Sequence, residues 1–456
     1  MTVNSIDRQK TELKDRIALA LGIASTMPIV GIPFGGRYIT VFTFVFILFF
    51  GMSLIKSITG RKFTFQINDL KHVYLLFLVW PIISYIVGLI YMPGEWHSSM
   101  TTYVIRALEY LVLTVILYIE DNKTTSIYFI KGLLAGIVAN AIWSIFEAVS
   151  FYFFRQSLND MVFGPFLTLN RSILLWNRLG GIRVSGLNYD PAHLGGILPI
   201  LFCYALMKKN WYLIILTLLS LAFSQSTTAL AGCAVVLLFF IFFSHKKKEW
   251  STRKRVTYKG VISAFIGIAL VVIVFGFLGT NGTLASFFDS INENISGYIK
   301  RINTYYVVSN NVGPREVYYT QFIDGLIERG PLVSAIGSGL GTSMYPFRNV
   351  SGLFASGSQS TVTEIETNYI AYLFDLGIIG LSFYIVFLIK GFMKMWQISK
   401  TNNEPVIYIY LGVFISIICC SALYHYIFTS YQMLAFTFAT IYIDHAERNR
   451  SLEGPT

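Results

Sequence analysis

The chain has 456 residues, of which 54% are hydrophobic and only 13% charged, with a mean hydropathy of +0.60. A soluble domain of this size carries about twice that charged fraction, so the composition excludes an ordinary globular protein and points to an all-α polytopic membrane protein. The formal charge of +11 is no argument for a nucleic-acid partner, because basic residues in a membrane protein first report orientation.

A span needs about 20 mostly apolar residues. In chain order the sequence offers about twelve, near 17–35, 38–56, 73–92, 102–119, 127–150, 192–207, 211–225, 227–243, 261–279, 369–389, 405–422 and 428–444. The seventh and eighth are short and are separated only by FSQSTTALAG. The charged start MTVNSIDRQKTELKDR leads directly into an apolar run without a cleavage pattern, so the first span is expected to be retained. Residues 1–456 therefore read as a single integral membrane domain. It carries a long, partly helical loop at 280–367 between spans 9 and 10, a shorter loop at 151–191 and a basic loop at 244–260. Cys203, Cys233, Cys419 and Cys420 all lie in apolar runs and suggest neither a disulfide framework nor a metal site.

Lysine sets the orientation. Under this topology Lys14, Lys71, Lys123, Lys208, Lys394 and the cluster HKKKEWSTRKR (245–255) fall on one side. The positive-inside rule makes that side cytoplasmic, with both termini inside. The basic residues of the opposite side are Arg37, Arg155, Arg171, Arg178, Arg183, Lys300, Arg301, Arg315, Arg329 and Arg348. Nine are arginine and one is lysine. Orientation would have removed them. Arginine is planar, bidentate and permanently charged, which suits phosphate and diphosphate. Taken as a group they point to an anionic ligand outside; taken singly, each also suits a loop salt bridge.

Two outer segments concentrate the candidates. GGIRVSGLNYDPAHLGG (180–196) precedes the sixth span. Pro191 suits a first helical turn and Asp190 an N-cap. His193 falls in that first turn, and Arg183 stands between Gly180, Gly181 and Gly186, where backbone can approach a ligand closely. In the long loop, SGYIKRINTYY carries Lys300 and Arg301, and GPREVYYTQFIDGLIERG reads as a helix from after Pro314 to Gly330, with Arg315 in its first turn. IGSGLGTS (336–343), with Gly339 at its centre, offers a backbone nest for phosphate oxygens or simply a flexible turn. It lacks the GK[ST] ending of a P-loop. Glu364 and Glu366 lie where the loop meets the tenth span, placed either to take a proton from a hydroxyl or to favour a helix start. As a pair they could also hold a divalent metal, although no DxD or histidine-rich partner accompanies them. Within spans, Arg106 and Glu109 are spaced to pair on one helix face, and Asn140 and Glu147 share a face of the fifth span. Structural pairing suits these, except that Arg106 lies near the outer end, within reach of a lipid headgroup.

Three pieces together resemble the bacterial O-antigen polymerase and O-antigen ligase superfamily, and its Wzy-type polymerase branch most closely. They are GIRVSGLNYDPAHLGG, similar to an R-x-x-G-x-x-x-D-P-x-x-x-G element before a span; SQSTTALAGCAVVLLFF, similar to a Ser/Thr-rich turn; and GPREVYY, IGSGLGTS and ETNYIAYLFDLGIIGL in that order. The resemblance implies a membrane glycosyltransferase at the outer face of the bacterial plasma (inner) membrane. Such an enzyme takes an undecaprenyl-diphosphate-linked oligosaccharide as donor and the hydroxyl of another lipid-linked repeat unit as acceptor. No cofactor and no metal are implied, and a chain-length regulator protein is a candidate partner. Arg183 and Arg315 occupy the positions implied to hold the diphosphate, with Arg301 a third. Arg106, Asp190, His193, Gly339 and Asn368 complete the expected substrate contacts. The ligase branch places histidine and asparagine at the foot of the tenth span; here Thr367 and Asn368 stand there. The ligase's histidine therefore has no carrier, and the general base is expected at Glu366 first and Glu364 second. The rival readings are a ligase acting on lipid A core, a flippase for the same lipid-linked sugar, and a transporter. The last two would want their charges inside the spans.

Overall fold

Long apolar runs flanked by lysine become helices that alternate in direction across the molecule. A computed structural model describes residues 3–34, 37–59, 68–92, 94–154, 157–166, 183–188, 190–244, 325–327, 329–343, 367–422 and 430–453. Its elements are α1 (Val3–Ala24), β1 (Gly31–Phe34), β2 (Arg37–Thr40), α2 (Val41–Thr59), α3 (Asp69–Tyr91), α4 (His97–Glu120), α5 (Lys123–Phe154), α6 (Leu158–Phe163), α7 (Pro191–Lys208), α8 (Trp211–Ser224), α9 (Thr227–Ser244), α10 (Pro331–Ile336), α11 (Asn368–Thr401), α12 (Pro405–Cys420) and α13 (Ser430–Glu453). Six of the described helices are long and apolar enough to cross a membrane, and three shorter apolar helices accompany them. The chain is an all-α polytopic membrane protein, with one small hairpin.

That hairpin corrects the first expected span. An apolar run over 17–35 reads as one helix, but α1 ends at Ala24, and Gly31–Phe34 pairs antiparallel with Arg37–Thr40. Pro28 and Pro33 cannot continue a helix. The short seventh and eighth runs do form two helices, α8 and α9, parted at Gln225 and Ser226. The ninth run, the basic loop and most of the 280–367 loop lie outside the described residues.

One continuous hydrophobic core runs through the bundle. Helix α7 is buried along most of its length and packs on α8, α9 and α12. Small residues permit this: a side chain on Gly195 would strike Ser226, and one on Gly232 would strike Pro199. Beside it, Tyr74 of α3 lies 4.7 Å from Phe387 of α11, which meets Phe436 of α13 at 4.8 Å between ring centroids. All four cysteines are free.

At the lysine-rich end, charges taken out of water are paired. Lys71, fully buried, donates to Asp444 at 2.5 Å and lies 3.5 Å from Asp121. Arg448 pairs with both acids, and Asn68 donates to Asp444 at 3.2 Å. Lys14 pairs with Glu120, and Tyr442 donates to Glu404 at 2.7 Å. These contacts tie α1, α3, α4 and α13, and the turns at Asp121 and Glu404, to one end of the bundle. Asp121 occupies a left-handed turn, φ 43°, between α4 and α5. Burial opposes its charge, but hydrogen bonds from His445 and Arg448 and the field of Lys71 prevail, and its carboxyl is held well below the usual range.

Removing one partner of such a pair leaves a buried charge uncompensated, at a cost of about 3 kcal/mol. Lys71→Met should therefore lower the unfolding temperature of the detergent-solubilised protein clearly, while Lys71→Met combined with Asp444→Leu should cost less than the single change. A lowered folded-state carboxyl contributes stability above the unfolded value of about 4 and loses it as pH falls further. The melting difference between the parent and Asp121→Asn should thus be large at pH 7 and shrink at pH 3, as read by thermal unfolding at the two pH values.

Candidate functional site at the lysine-poor end

At the opposite end the chain leaves helical geometry in several places, and each departure has a polar residue that holds it. Asn140 and Glu147 do share a face of α5, as their spacing indicates, and what they hold is the 183–188 turn. Glu147, fully buried, accepts from the Gly186 N–H at 2.9 Å. Asn140 accepts from the Leu187 N–H and from Asn188 Nδ2, both at 2.9 Å, and donates to the Thr26 carbonyl. Asn159 of α6 bridges Glu147 at 3.2 Å and the Gly186 carbonyl at 3.1 Å. Gly186 has φ +62°, and a Cβ there would lie 3.1 Å from the Asn140 carbonyl, so the position requires glycine.

This turn carries Arg183. Its Nε donates to the Ser224 carbonyl at 3.3 Å, while Val184 N–H donates to the Phe223 carbonyl at 3.2 Å. The arginine thus lies, partly exposed, against the C-terminal end of α8, where helix carbonyls favour a cation. Asp190 is an N-cap: its Oδ1 accepts from the N–H groups of Ala192 at 2.6 Å and His193 at 2.9 Å. His193 Nδ1 is 3.4 Å from the same oxygen. The start of α7 is therefore already served by an anion of the chain itself, as the N-cap reading of Asp190 expects.

The glycine-rich loop likewise turns its N–H groups to an acid of the chain. The N–H groups of Gly341 and Thr342 point at the Asp375 carboxylate, at 2.9 and 3.0 Å. Gly339 N–H donates to the Asp375 carbonyl at 3.0 Å. The nest exists, and a fully buried internal carboxylate fills it. Its partner is a break in α11 at Gly377, φ 70° and ψ −178°. A Cβ at Gly377 would strike the Ala335 carbonyl. The carbonyls freed by the break find donors: Trp80 Nε1 reaches Leu376 at 2.7 Å, and Arg329 reaches Phe374 at 2.8 Å. Arg329 also donates to Ser338 and to the Thr342 carbonyl and stacks on the Phe374 ring. This outer arginine is therefore structural.

Asn368 is likewise spent on the fold. It is buried, its N–H donates to the Ser421 carbonyl at 2.9 Å and its Nδ2 to Ser421 Oγ at 3.2 Å, which joins the start of α11 to the end of α12. Arg106 lies on the exposed side of α4, 5.8 Å from the Tyr103 ring centroid, beside exposed Ile105 and Leu108. It forms no ion pair with Glu109 among the described residues, contrary to the expected pairing, because the tyrosine one turn earlier takes the guanidinium. Arg301, Arg315, Glu364 and Glu366 lie outside the described residues.

Buried side-chain atoms at this end without a hydrogen-bond partner among the described residues include Ser185 Oγ, Gln225 Nε2, Ser343 Oγ and Thr367 Oγ1. An unsatisfied buried group costs about 1–3 kcal/mol, so each such atom calls for a partner. Sequence reasoning did not single out Asp375, Trp80 or Gln225. The one available signal was an acid, Asp375, inside an apolar run, which is costly unless used.

A family model described as O-antigen ligase matches residues 212–385, from α8 into the first half of α11. No curated protein matches the chain. The match takes in the Gln225 turn, the 336–343 loop, the Gly377 break and the positions of Arg301, Arg315, Glu364 and Glu366; Arg183 lies before it. The match supports the O-antigen polymerase and ligase superfamily, and with it a membrane glycan-processing enzyme of the glycosyltransferase type that both branches share.

Asp375→Asn puts an amide N–H where two backbone N–H groups already point. It should destabilise the protein by about 2 kcal/mol and expose the 337–343 loop to protease, as read by thermal unfolding and limited proteolysis of the purified variant.

Proposed function

We propose that the protein is a polysaccharide polymerase that transfers an undecaprenyl-diphosphate-linked glycan to the hydroxyl of another lipid-linked repeat unit. The lysine-rich end faces the cytoplasm, with both termini, and the site faces the exterior of the plasma membrane. The observation that carries this reading is Arg183. It stands on a turn fixed by Asn140, Glu147 and Asn159, against the end of α8, next to a region that matches a glycan-transferring membrane family.

The chemistry is displacement at an anomeric carbon. The acceptor oxygen forms the new glycosidic bond, the bond to the diphosphate oxygen breaks, and the electron pair leaves with the diphosphate. Arg183, with Arg315 and Arg301 from the long loop, neutralises the charge that grows on the leaving group. Glu366, or Glu364 behind it, takes the acceptor's proton. Attack opposite the leaving group inverts the anomeric centre. No metal takes part in this scheme. The matched family's description favours a second reading, ligation of the glycan to lipid A core. Against it stands Thr367 where the ligase branch is expected to place its histidine.

The test uses purified protein, a lipid-linked repeat unit and EDTA, with products separated by length on a gel. A ladder is expected from the parent. Arg183→Ala and Arg315→Ala should each lose about 10²–10³ in rate. Single transfer to an added lipid A core acceptor without a ladder would establish the ligase. Passage of the lipid-linked sugar across a liposome bilayer with no new glycosidic bond would establish a flippase.

A further inference from the structure

The chain segments that carry Arg183 and the end of α8 run side by side, joined by Val184 N–H to Phe223 and by Arg183 Nε to Ser224. The next residue on each segment is unusual. Ser185 is fully buried and its hydroxyl has no partner among the described residues. Gln225 is 3% exposed, and its Nε2 has none either.

Gln225 is also one of three described non-glycine residues with positive φ, at +47°. It closes α8 through its backbone N–H to Leu221, a place where glycine or asparagine is the unstrained choice. The other two, Asp121 and Lys209, are charged residues at the lysine-rich end; Asp121's side chain holds the ion network there. Gln225 thus combines left-handed backbone with a buried Nε2 that has no partner among the described residues, the kind of departure that marks a side chain for a role.

We propose that Gln225, with Ser185, forms a phosphoryl-oxygen subsite beside Arg183, and that the Gln225 amide and the Ser185 hydroxyl donate to oxygens of the diphosphate. This assignment rests on the donor proposed above. An amide and a hydroxyl supply neutral donors where a second cation is absent from this pair of turns, and they fix the angle at which the arginine meets the anion. Phosphoryl oxygens could come from the lipid diphosphate or from free diphosphate after transfer.

The experiment measures binding of undecaprenyl diphosphate and, separately, of inorganic pyrophosphate to the full chain in nanodiscs, alongside thermal unfolding. The variants are Arg183→Ala, Gln225→Gly and Gln225→Glu. Gln225→Gly relieves the positive φ and should melt at or above the parent temperature, yet bind the lipid diphosphate about tenfold more weakly. Gln225→Glu keeps the shape of the side chain, replaces a donor by a negative acceptor, and should bind more weakly still. Loss with the lipid ligand alone assigns the subsite to the donor; the same loss with pyrophosphate extends it to the free diphosphate. Gln225→Gly and Gln225→Glu binding like the parent, while Arg183→Ala fails to bind, would overturn the subsite and leave the donor reading intact. A parent that binds neither ligand would overturn both.

Discussion

Backbone that leaves helical geometry inside an apolar bundle must have every N–H and C=O satisfied by the protein itself. The lysine-poor end is organised around that requirement. Gly377 breaks α11 so that 337–343 can pack into it. The carbonyls of Phe374, Asp375 and Leu376 are then taken by Arg329, Gly339 and Trp80, and the Asp375 side chain takes the loop's remaining N–H groups. The same logic repeats around Gly186, where Asn140 and Glu147 reach up from α5. Two irregular segments thus become as fixed as the helices they join. A site that must hold charge in place during bond breaking needs that rigidity, because donors that have to move lose their advantage.

The two ends of the molecule handle charge in different ways. At the lysine-rich end every buried charge described above has an opposite partner: Lys71 with Asp444 and Asp121, Lys14 with Glu120. At the other end, buried Glu147 and Asp375 have neutral donors instead, supplied by amides and the Thr342 hydroxyl. Those donors fix the two carboxyl groups, and through them the 183–188 turn and the 337–343 loop.

Much of this was legible in the sequence. The all-α membrane character followed from the apolar runs, and Asp190 with Pro191 announced a capped helix. The first span misled, because hydropathy ignores Pro28 and Pro33, which turn an apolar run into a hairpin. The glycine-rich loop misled for a deeper reason. A backbone nest looks the same in sequence whether its anion is a ligand or a side chain distant in the chain, and Asp375 lies 33 residues beyond Thr342. Gln225 lies in the SQSTTALAG turn that the resemblance quotes, but its positive φ and its buried, unpartnered Nε2 are visible only in the structure.

Arginine at this end has more than one use. Arg329 spends both of its terminal nitrogens on Ser338, Phe374 and Thr342 and stacks on a ring; its planar fork serves the fold. Arg183 donates through Nε to the Ser224 carbonyl and stays partly exposed. The geometry that suits a guanidinium to diphosphate suits it equally to three backbone and hydroxyl acceptors, so composition alone counts both. What separates them is the state of their surroundings. Both terminal nitrogens of Arg329 are taken by the fold, whereas beside Arg183 the Ser185 hydroxyl and the Gln225 Nε2 are buried without a partner among the described residues. An anion-binding place in an apolar bundle should look like the second case: fixed in backbone, and unfinished in side-chain hydrogen bonding until its ligand arrives.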